Sequence, residues 1–202
     1  MKKEAEKYQA LINIKNALRF INEWTDTQEM VNSLLDEIHK VIQVIDNEIE
    51  RFKDKSEAEF LLELQPWFRI AIRSTIATLE AICYRFKHVT ILICDHRGKT
   101  LTKNEREKLL EKKQDEGGKV QNYYLETTEN IKFTLKMFYY AFDLSFEIKD
   151  HEGWKKLLNT IEIRHKLTHP KNKEDLYVSP QKYNDASIGF NWFEKQLDGL
   201  LK

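Results

Sequence analysis

The chain has 202 residues with 33 Lys and Arg against 33 Asp and Glu, so its formal charge is zero. Only 6 Gly and 3 Pro are present, which argues against an all-β sandwich or barrel, because such folds need frequent turns. Apolar residues at 41% suffice for a core and exclude global disorder. No apolar run approaches the roughly 18 residues of a membrane span, and the two cysteines match neither a disulfide framework nor a zinc pattern. We expect a cytoplasmic all-α protein without a membrane partner.

Apolar residues at spacings of three and four predict helices in the first half of the chain. A first helix is expected over residues 4–22, and a second, capped at Thr25–Thr27, to about residue 53. Ser56 and Glu59 have the spacing of a capping box that opens a third segment. Pro66 lacks a backbone donor and is expected to break or kink that segment, so that a long helix then covers 67–94. The expected apolar stripes are Leu11, Ile14, Leu18 and Ile21; Met30, Leu34, Ile38, Val41, Ile45 and Ile49; and Ile72, Ile76, Leu79 and Cys83.

The middle of the chain predicts two more helices around a loop. Residues 95–98 are expected to turn, and Thr102 and Glu105 to cap a charged helix that ends near Lys113. Residues 114–119 contain a Gly-Gly pair and are expected to form a loop. A helix is predicted from 120 to about 146. Its aromatic stripe is expected to pack in the core and consists of Phe133, Phe138, Tyr139, Tyr140 and Phe142.

Two helices are predicted in the last quarter of the chain. Asp150 is expected to cap a helix over about 151–169, which Pro170 ends. Residues 176–178 are a candidate extended stretch. Ser179 followed by Pro180 is typical of a helix start, so a last helix is expected over about 180–201. The sequence as a whole predicts one domain over 1–202, a single up-and-down bundle of six or seven helices.

One segment carries a distinctive cluster of residues. From Arg164 to Lys173 the sequence holds four Lys or Arg, two His and no acid. A helix C-terminus favours cations, so the cluster is compatible with basic residues that only complement the helix dipole. The same cluster would also suit an anionic substrate and proton transfer.

Two spacings within this cluster have chemical meaning. His165 and His169 are four residues apart and share a helix face, where they could chelate a metal, but the segment supplies no clear third ligand. Arg164 and His169 are five residues apart, which places them about 140° apart on a regular helix. They can meet if the helix unwinds before Pro170, or if two copies of the segment face each other across a dimer axis. Because a third metal ligand is missing, we predict no metal; we also predict no cofactor.

The stretch Arg164-His-Lys-Leu-Thr-His169 resembles the Arg-x4-6-His motif of HEPN domains, including the polar residue after the arginine. Thr168–Lys171 is similar to the Thr-His-Pro-Lys ending of many bacterial members. The stretch Ile76–Glu80, with Arg73 and Lys87, resembles the helix that packs beside the motif helix. As a pattern of helices the resemblance covers about 65–180. Lys171 stands where one subgroup has tyrosine, so the chain departs from that subgroup.

This resemblance implies a HEPN-like helical bundle that dimerises through the motif helix and is often a metal-independent endoribonuclease. Many such proteins are toxins or antiviral-defence effectors, which implies RNA as a partner and allows an antitoxin or regulatory protein as another. The alternative is a non-catalytic dimer that binds RNA or nucleotides or regulates a partner protein. A stable dimer that binds RNA without cleaving it would favour this alternative.

RNA carries its own nucleophile, the 2′-hydroxyl, so few protein groups are needed for cleavage. We expect Arg164 to hold the phosphate and His169 to transfer protons, one copy of His169 acting as base and the other as acid. The remaining candidates assist these two: His165, Thr168 and Lys166 by orientation or phosphate contact, Glu80 and Arg73 by orienting the motif, and Lys171 and Lys173 by salt-dependent RNA binding.

Overall fold

The computed structural model describes residues 2–115, 117–148 and 151–198, with the side chains of 2–14, 16 and 198 left aside. These residues contain six α-helices, one small hairpin and a short 3-10 helix, so the predicted all-α helical bundle is confirmed. The elements in chain order are α1 (Lys2–Phe52), α2 (Glu57–His96), α3 (Lys103–Leu110), β1 (Lys112–Gln114), β2 (Val120–Asn122), α4 (Thr127–Ala141), α5 (Glu152–Thr168), a short 3-10 helix (Lys173–Leu176) and α6 (Pro180–Asp198).

The predicted break between two N-terminal helices is wrong, because α1 runs without interruption from Lys2 to Phe52. Thr27 does not cap a helix. Its hydroxyl donates to the carbonyl of Glu23 at 2.6 Å and accepts from Nε of Arg85 at 2.9 Å, so it is satisfied within the helix. Leu18 and Ile21 of the first predicted stripe are more than half exposed, whereas Leu11 and Ile14 lie outside the described side chains.

Pro66 neither ends nor starts a helix, because α2 is continuous from Glu57 to His96. The proline removes the hydrogen bond that the carbonyl of Leu62 would accept. Leu62 and Pro66 both lie on the exposed side of α2, where water can satisfy that carbonyl. The predicted start at Ser56 is confirmed: its hydroxyl accepts from the Glu59 amide at 3.4 Å and donates to the Glu59 carboxylate at 2.7 Å. The predicted buried face of α2, represented by Ile72 and Leu79, is likewise confirmed.

The segment after α2 differs from its prediction in its strands. The capping box of Thr102 and Glu105 is present, but α3 ends at Leu110 because Glu111 adopts a left-handed conformation (φ 53°). Residues 112–114 and 120–122 then pair as an antiparallel hairpin, which the sequence did not predict. The helix predicted from 120 consequently begins only at Thr127 and ends at Ala141. Of its aromatic stripe, Phe138 is fully buried, whereas Tyr140 is 41% exposed.

The two C-terminal helices lie where they were predicted. His151 is the N-cap of α5, its Nδ1 accepting from the Gly153 amide at 3.0 Å; Asp150, the predicted cap, lies outside the described residues. The predicted extended stretch instead begins as the 3-10 helix, and the chain is extended at Tyr177. The Ser179 hydroxyl accepts from the Lys182 amide at 3.2 Å at the start of α6, whose predicted end at residue 201 lies outside the described residues.

Contacts divide the chain into two compact units, and both long helices contribute to each. Unit 1 comprises residues 1–31 and 82–147, and unit 2 comprises 32–81 and 148–202. The core of unit 1 includes the stacked rings of Phe86 and Phe138, 4.1 Å between centroids. The core of unit 2 packs α1, α2, α5 and α6 around buried apolar side chains: Ile45, Leu64, Phe68, Ala71, Ile72, Ile163, Leu167, Val178, Tyr183 and Ala186. The single domain over 1–202 stays a prediction.

Unit 1 also contains a buried ion pair. Lys87, which the HEPN resemblance groups with Arg73, is only 1% exposed, and its ammonium lies 2.9 Å from the carboxylate of Glu111. Glu111 reaches this position from the left-handed turn that ends α3. The charge of this lysine is therefore used inside unit 1.

None of the helices, as far as their residues are described, is long and apolar enough to cross a membrane.

Candidate functional site at the end of α5

Close packing against α6 sets the position of α5 in unit 2. A Cβ atom on Gly189 of α6 would lie 2.6 Å from the backbone nitrogen of Leu157, so the two helices approach almost to backbone contact. Gly153 gives Trp192 a similar space. The buried side chains of Ile163 and Leu167 then direct one face of α5 into the core. The opposite face of its last two turns is left to solvent.

Three polar side chains of α2 hold the backbone in the last turn of α5 and in the segment that follows it. We call Gln65, Arg69 and Arg73, which are spaced four residues apart, the α2 row. Arg73 donates to the carbonyl of Leu167 at 2.8 Å and so satisfies an otherwise unpaired carbonyl in the last turn of α5. Arg69 donates to the carbonyl of Leu176 at 3.3 Å. Gln65 both donates to and accepts from the backbone of Val178, at 2.8 and 2.9 Å.

Arg164 reaches from α5 to α2 and pairs with Glu80. Nη2 of Arg164 lies 3.3 Å from Oε2 of Glu80, and both side chains are about one-third exposed, at 31% and 33%. The carboxylate restricts the guanidinium at one nitrogen. Because a guanidinium carries five N–H donors, the others remain able to bind a phosphate. The structure therefore brings together two of the residues named from the sequence.

The two histidines meet at the end of the helix. His169 is the C-cap of α5 (φ −128°, ψ 62°), and its amide still donates to the carbonyl of His165 at 3.0 Å. The imidazole of His169 lies beside that of His165, with ring centroids 5.2 Å apart. Thr168 donates its hydroxyl to the carbonyl of Arg164 at 2.8 Å. Both histidines and Thr168 are exposed.

The helix thus stays regular up to the motif histidine. The sequence allowed Arg164 and His169 to meet by unwinding of the helix before Pro170. In the structure α5 departs from helical geometry only at His169, and the ring of His169 packs against His165. Arg164 is turned toward Glu80 on α2. Within one chain, Arg164 and His169 therefore have different neighbours, Glu80 and His165.

Acidic groups approach the basic cluster in space, although none lies within it in sequence. Lys166 pairs with Glu162 at 2.7 Å, and this hydrogen bond lowers the pKa of Glu162 and raises that of Lys166. Asp175 accepts from the Lys171 amide at 2.8 Å and, with Asn172, forms the capping box of the 3-10 helix. Lys171 and Lys173 themselves are exposed. The surface of the cluster consequently carries both basic and acidic groups.

A metal has no complete set of ligands here. In the part of the chain that the structure describes, no group of three or more His, Cys, Asp or Glu side chains is arranged to hold an ion. His165 and His169 offer two imidazoles and no third ligand, which a stable zinc site would need. What the arrangement offers chemically is a cation fixed by a carboxylate and a pair of proton-transfer groups.

Sequence reasoning named Arg73 but missed Gln65 and Arg69, which position the same backbone. A signal was available: long polar side chains recur at i, i+4 and i+8 on α2, and residues at that spacing share one helix face. Asp175 was missed as well. Its pattern, Asn172 followed three residues later by an acid, is that of a capping box.

The chain matches no family model, no curated protein and no solved structure.

Proposed function

We propose that this protein is a metal-independent endoribonuclease of HEPN type, in which Arg164 binds the scissile phosphate and His169 transfers protons. The observation that carries the proposal is the ion pair of Arg164 with Glu80, in the same last two turns of α5 that carry the exposed histidine pair. A carboxylate that restricts a guanidinium without burying it prepares that group for a phosphate. Imidazoles can accept and donate protons near neutral pH.

The reaction uses the RNA's own hydroxyl. A histidine removes the proton of the 2′-hydroxyl, whose oxygen attacks the adjacent phosphorus. The bond from phosphorus to the 5′-oxygen breaks, and that oxygen takes a proton from a second histidine. The products are a 2′,3′-cyclic phosphate and a 5′-hydroxyl. Arg164 stabilises the charge that develops on the phosphorane.

Two copies of the chain would supply the second histidine. The last turns of α5 are exposed, so two motif helices can face each other and place His169 of one copy near Arg164 of the other. His165 lies close enough to orient or partner His169 within one copy. Lys171 and Lys173 extend the cationic surface that meets RNA.

The test is cleavage of RNA in the presence of EDTA by purified protein. Arg164→Ala and His169→Ala should each reduce the rate by about two to four orders of magnitude. Product analysis should show cyclic phosphate ends, and 2′-O-methyl RNA should not be cut.

Matched controls separate chemistry from general damage. Arg85 pairs with Glu23 at 3.0 Å and is 25% exposed, so Arg85→Ala removes a comparable ion pair from unit 1. His96→Ala removes an exposed histidine from the last turn of α2. Both controls should retain activity. Undiminished cleavage by the two motif variants would refute the proposal.

A non-catalytic RNA-binding or regulatory dimer is the second candidate, and the separation of the two motif residues within one copy favours it. Arg164 is turned toward Glu80 on α2, whereas the ring of His169 packs against His165. This candidate predicts RNA binding without cleavage and a normal affinity for His169→Ala. Detectable cleavage by the wild-type protein would reject it.

A further inference from the structure

Unit 1 has a cationic cleft between α3 and the hairpin. The cleft has a volume of about 270 Å³. Four basic side chains and two apolar ones contribute most of its lining: Lys103, Arg106, Lys112, Lys113, Leu110 and Val120. Among the described residues that line it, Glu107 is the single acid, and it lies 3.8 Å from Lys103. An excess of positive charge therefore faces this cleft within a neutral chain.

Three described acids of the same stretch are used elsewhere, which contributes to the excess. The Glu105 carboxylate accepts hydrogen bonds from the backbone amide and from the hydroxyl of Thr102 in the capping box of α3. Glu111 turns inward to the buried Lys87. Asp115 accepts backbone amides within the hairpin turn, from Gly117 and Lys119. Local folding thus withdraws these carboxylates from the cleft.

Arg106 and Lys112 are held in place without being buried. Arg106 is 43% exposed and pairs with Asp95 at 2.6 Å, which leaves other guanidinium donors available. Lys112 donates to the side chain of Asn122 across the hairpin at 2.5 Å. The lysines are exposed, so an anion can reach them from solvent.

Apolar surface accompanies this charge. Leu110 is 42% exposed and Val120 is 61% exposed, and both line the cleft. Tyr124, which follows the hairpin, is 74% exposed. Single-stranded nucleic acids are bound by cations that track the phosphates together with apolar or aromatic surfaces that contact the bases.

We propose that this cleft binds the phosphate backbone of single-stranded RNA and is a second RNA-contacting surface, separate from the end of α5. It rests on the proposed function only in naming RNA, and it requires no cleavage. An acidic polypeptide offers negative charge but lacks flat bases for the apolar surface, so RNA fits the cleft better.

The experiment measures binding of the full chain to a fluorescent single-stranded 2′-O-methyl RNA, which cannot be cleaved through its 2′-position. Affinity is determined at several salt concentrations for wild type and for Lys112→Ala/Lys113→Ala. Loss of two phosphate contacts should weaken binding several-fold and flatten the slope of log affinity against log salt by about 1.4. The control pair is Lys132→Ala/Lys136→Ala, which removes the same charge from exposed positions of α4 in the same unit.

The inference stands if the cleft pair flattens the salt slope and the control pair does not. Equal losses in both pairs would overturn it, because net charge would then account for the binding. Displacement of the RNA by poly-glutamate as readily as by unlabelled RNA would assign the cleft to acidic proteins instead, and absence of wild-type binding would also overturn it. An Arg164→Ala protein that still binds this 2′-O-methyl RNA but no longer cleaves unmodified RNA would separate the two surfaces.

Discussion

The buried pair of Lys87 and Glu111 gives the sharpest test of what stabilises unit 1. Replacing Glu111 with Ala removes the acidic partner and leaves the ammonium of Lys87 inside the core. Lys87 is 1% exposed, so its ammonium would lose its ionic partner while it remains within the core. We therefore expect a large loss in the free energy of unfolding.

The magnitude follows from the geometry of the pair. At the observed 2.9 Å, two unit charges attract by about 6 kcal/mol at an effective dielectric constant near 20. Desolvation of both groups offsets much of this attraction, yet removing one partner from a buried pair costs about 3–5 kcal/mol. Because the side chain of Glu111 is 24% exposed, the lower end, about 3 kcal/mol, is expected.

Urea denaturation followed by circular dichroism measures this loss. Lys87→Met combined with Glu111→Ala should be more stable than Glu111→Ala alone, since no buried charge is then left without a partner. Asp95→Ala breaks the exposed pair with Arg106 and should cost only about 0–1 kcal/mol. A Glu111→Ala protein as stable as the Asp95→Ala control, or a double variant whose losses simply add, would refute this reasoning.

Three further substitutions test unit 2. Gly189→Ala should lower stability by about 1–3 kcal/mol in urea denaturation, because its Cβ would meet the backbone of Leu157 at 2.6 Å; an unchanged midpoint would contradict that close approach. Pro66→Ala should raise the melting temperature by restoring a helical hydrogen bond on an exposed face, and a lower melting temperature would show that the proline is needed. Burial of Tyr183, with the nearby Asp46 carboxylate, raises the pKa of its phenol, so the neutral form contributes stability that is full below about pH 10 and declines as the pH rises above it. In alkaline denaturation Tyr183→Phe should therefore lose less stability than wild type, and identical alkaline limbs would oppose this.

Helix starts were predictable where the signal and its partner lie within one turn. The capping boxes at Ser56 and Thr102 are confirmed, since each is formed by residues three apart. The cap predicted around Thr27 is wrong because its hydroxyl is used by Arg85, which is 58 residues away. Local sequence cannot reveal such a partner.

The hairpin was missed for a different reason. All three residues of each strand are exposed, so neither strand shows the alternation of apolar and polar residues that predicts a half-buried strand. The turn around Gly117 and Gly118 was recognised, but its strands look like solvated helix. Glu111 adopts the left-handed conformation that ends α3 early. Glycine is the usual residue at such a position, so a glutamate there does not signal the helix end.

For the candidate site, the residues of the cluster itself were easier to predict than the residues that contact them in the folded chain. The proximity of His165 and His169 follows from their spacing of four. The contact of Arg164 with Glu80 spans 84 residues, and Glu80 was named through the HEPN resemblance. No acid lies between Arg164 and Lys173 in the sequence, but folding brings Glu80 beside Arg164.

The α2 row has a consequence for how this surface could change. Its three side chains form hydrogen bonds with three carbonyl groups and one amide group of the main chain. Every residue type supplies the carbonyl, and every type except proline supplies the amide hydrogen. Side chains at positions 171, 173 and 174 can therefore be exchanged while the path of the chain is retained at both ends, as long as Asn172 and Asp175 keep their capping box. The segment is a natural place for randomised libraries, in which new ligand preferences could be selected on an unchanged scaffold.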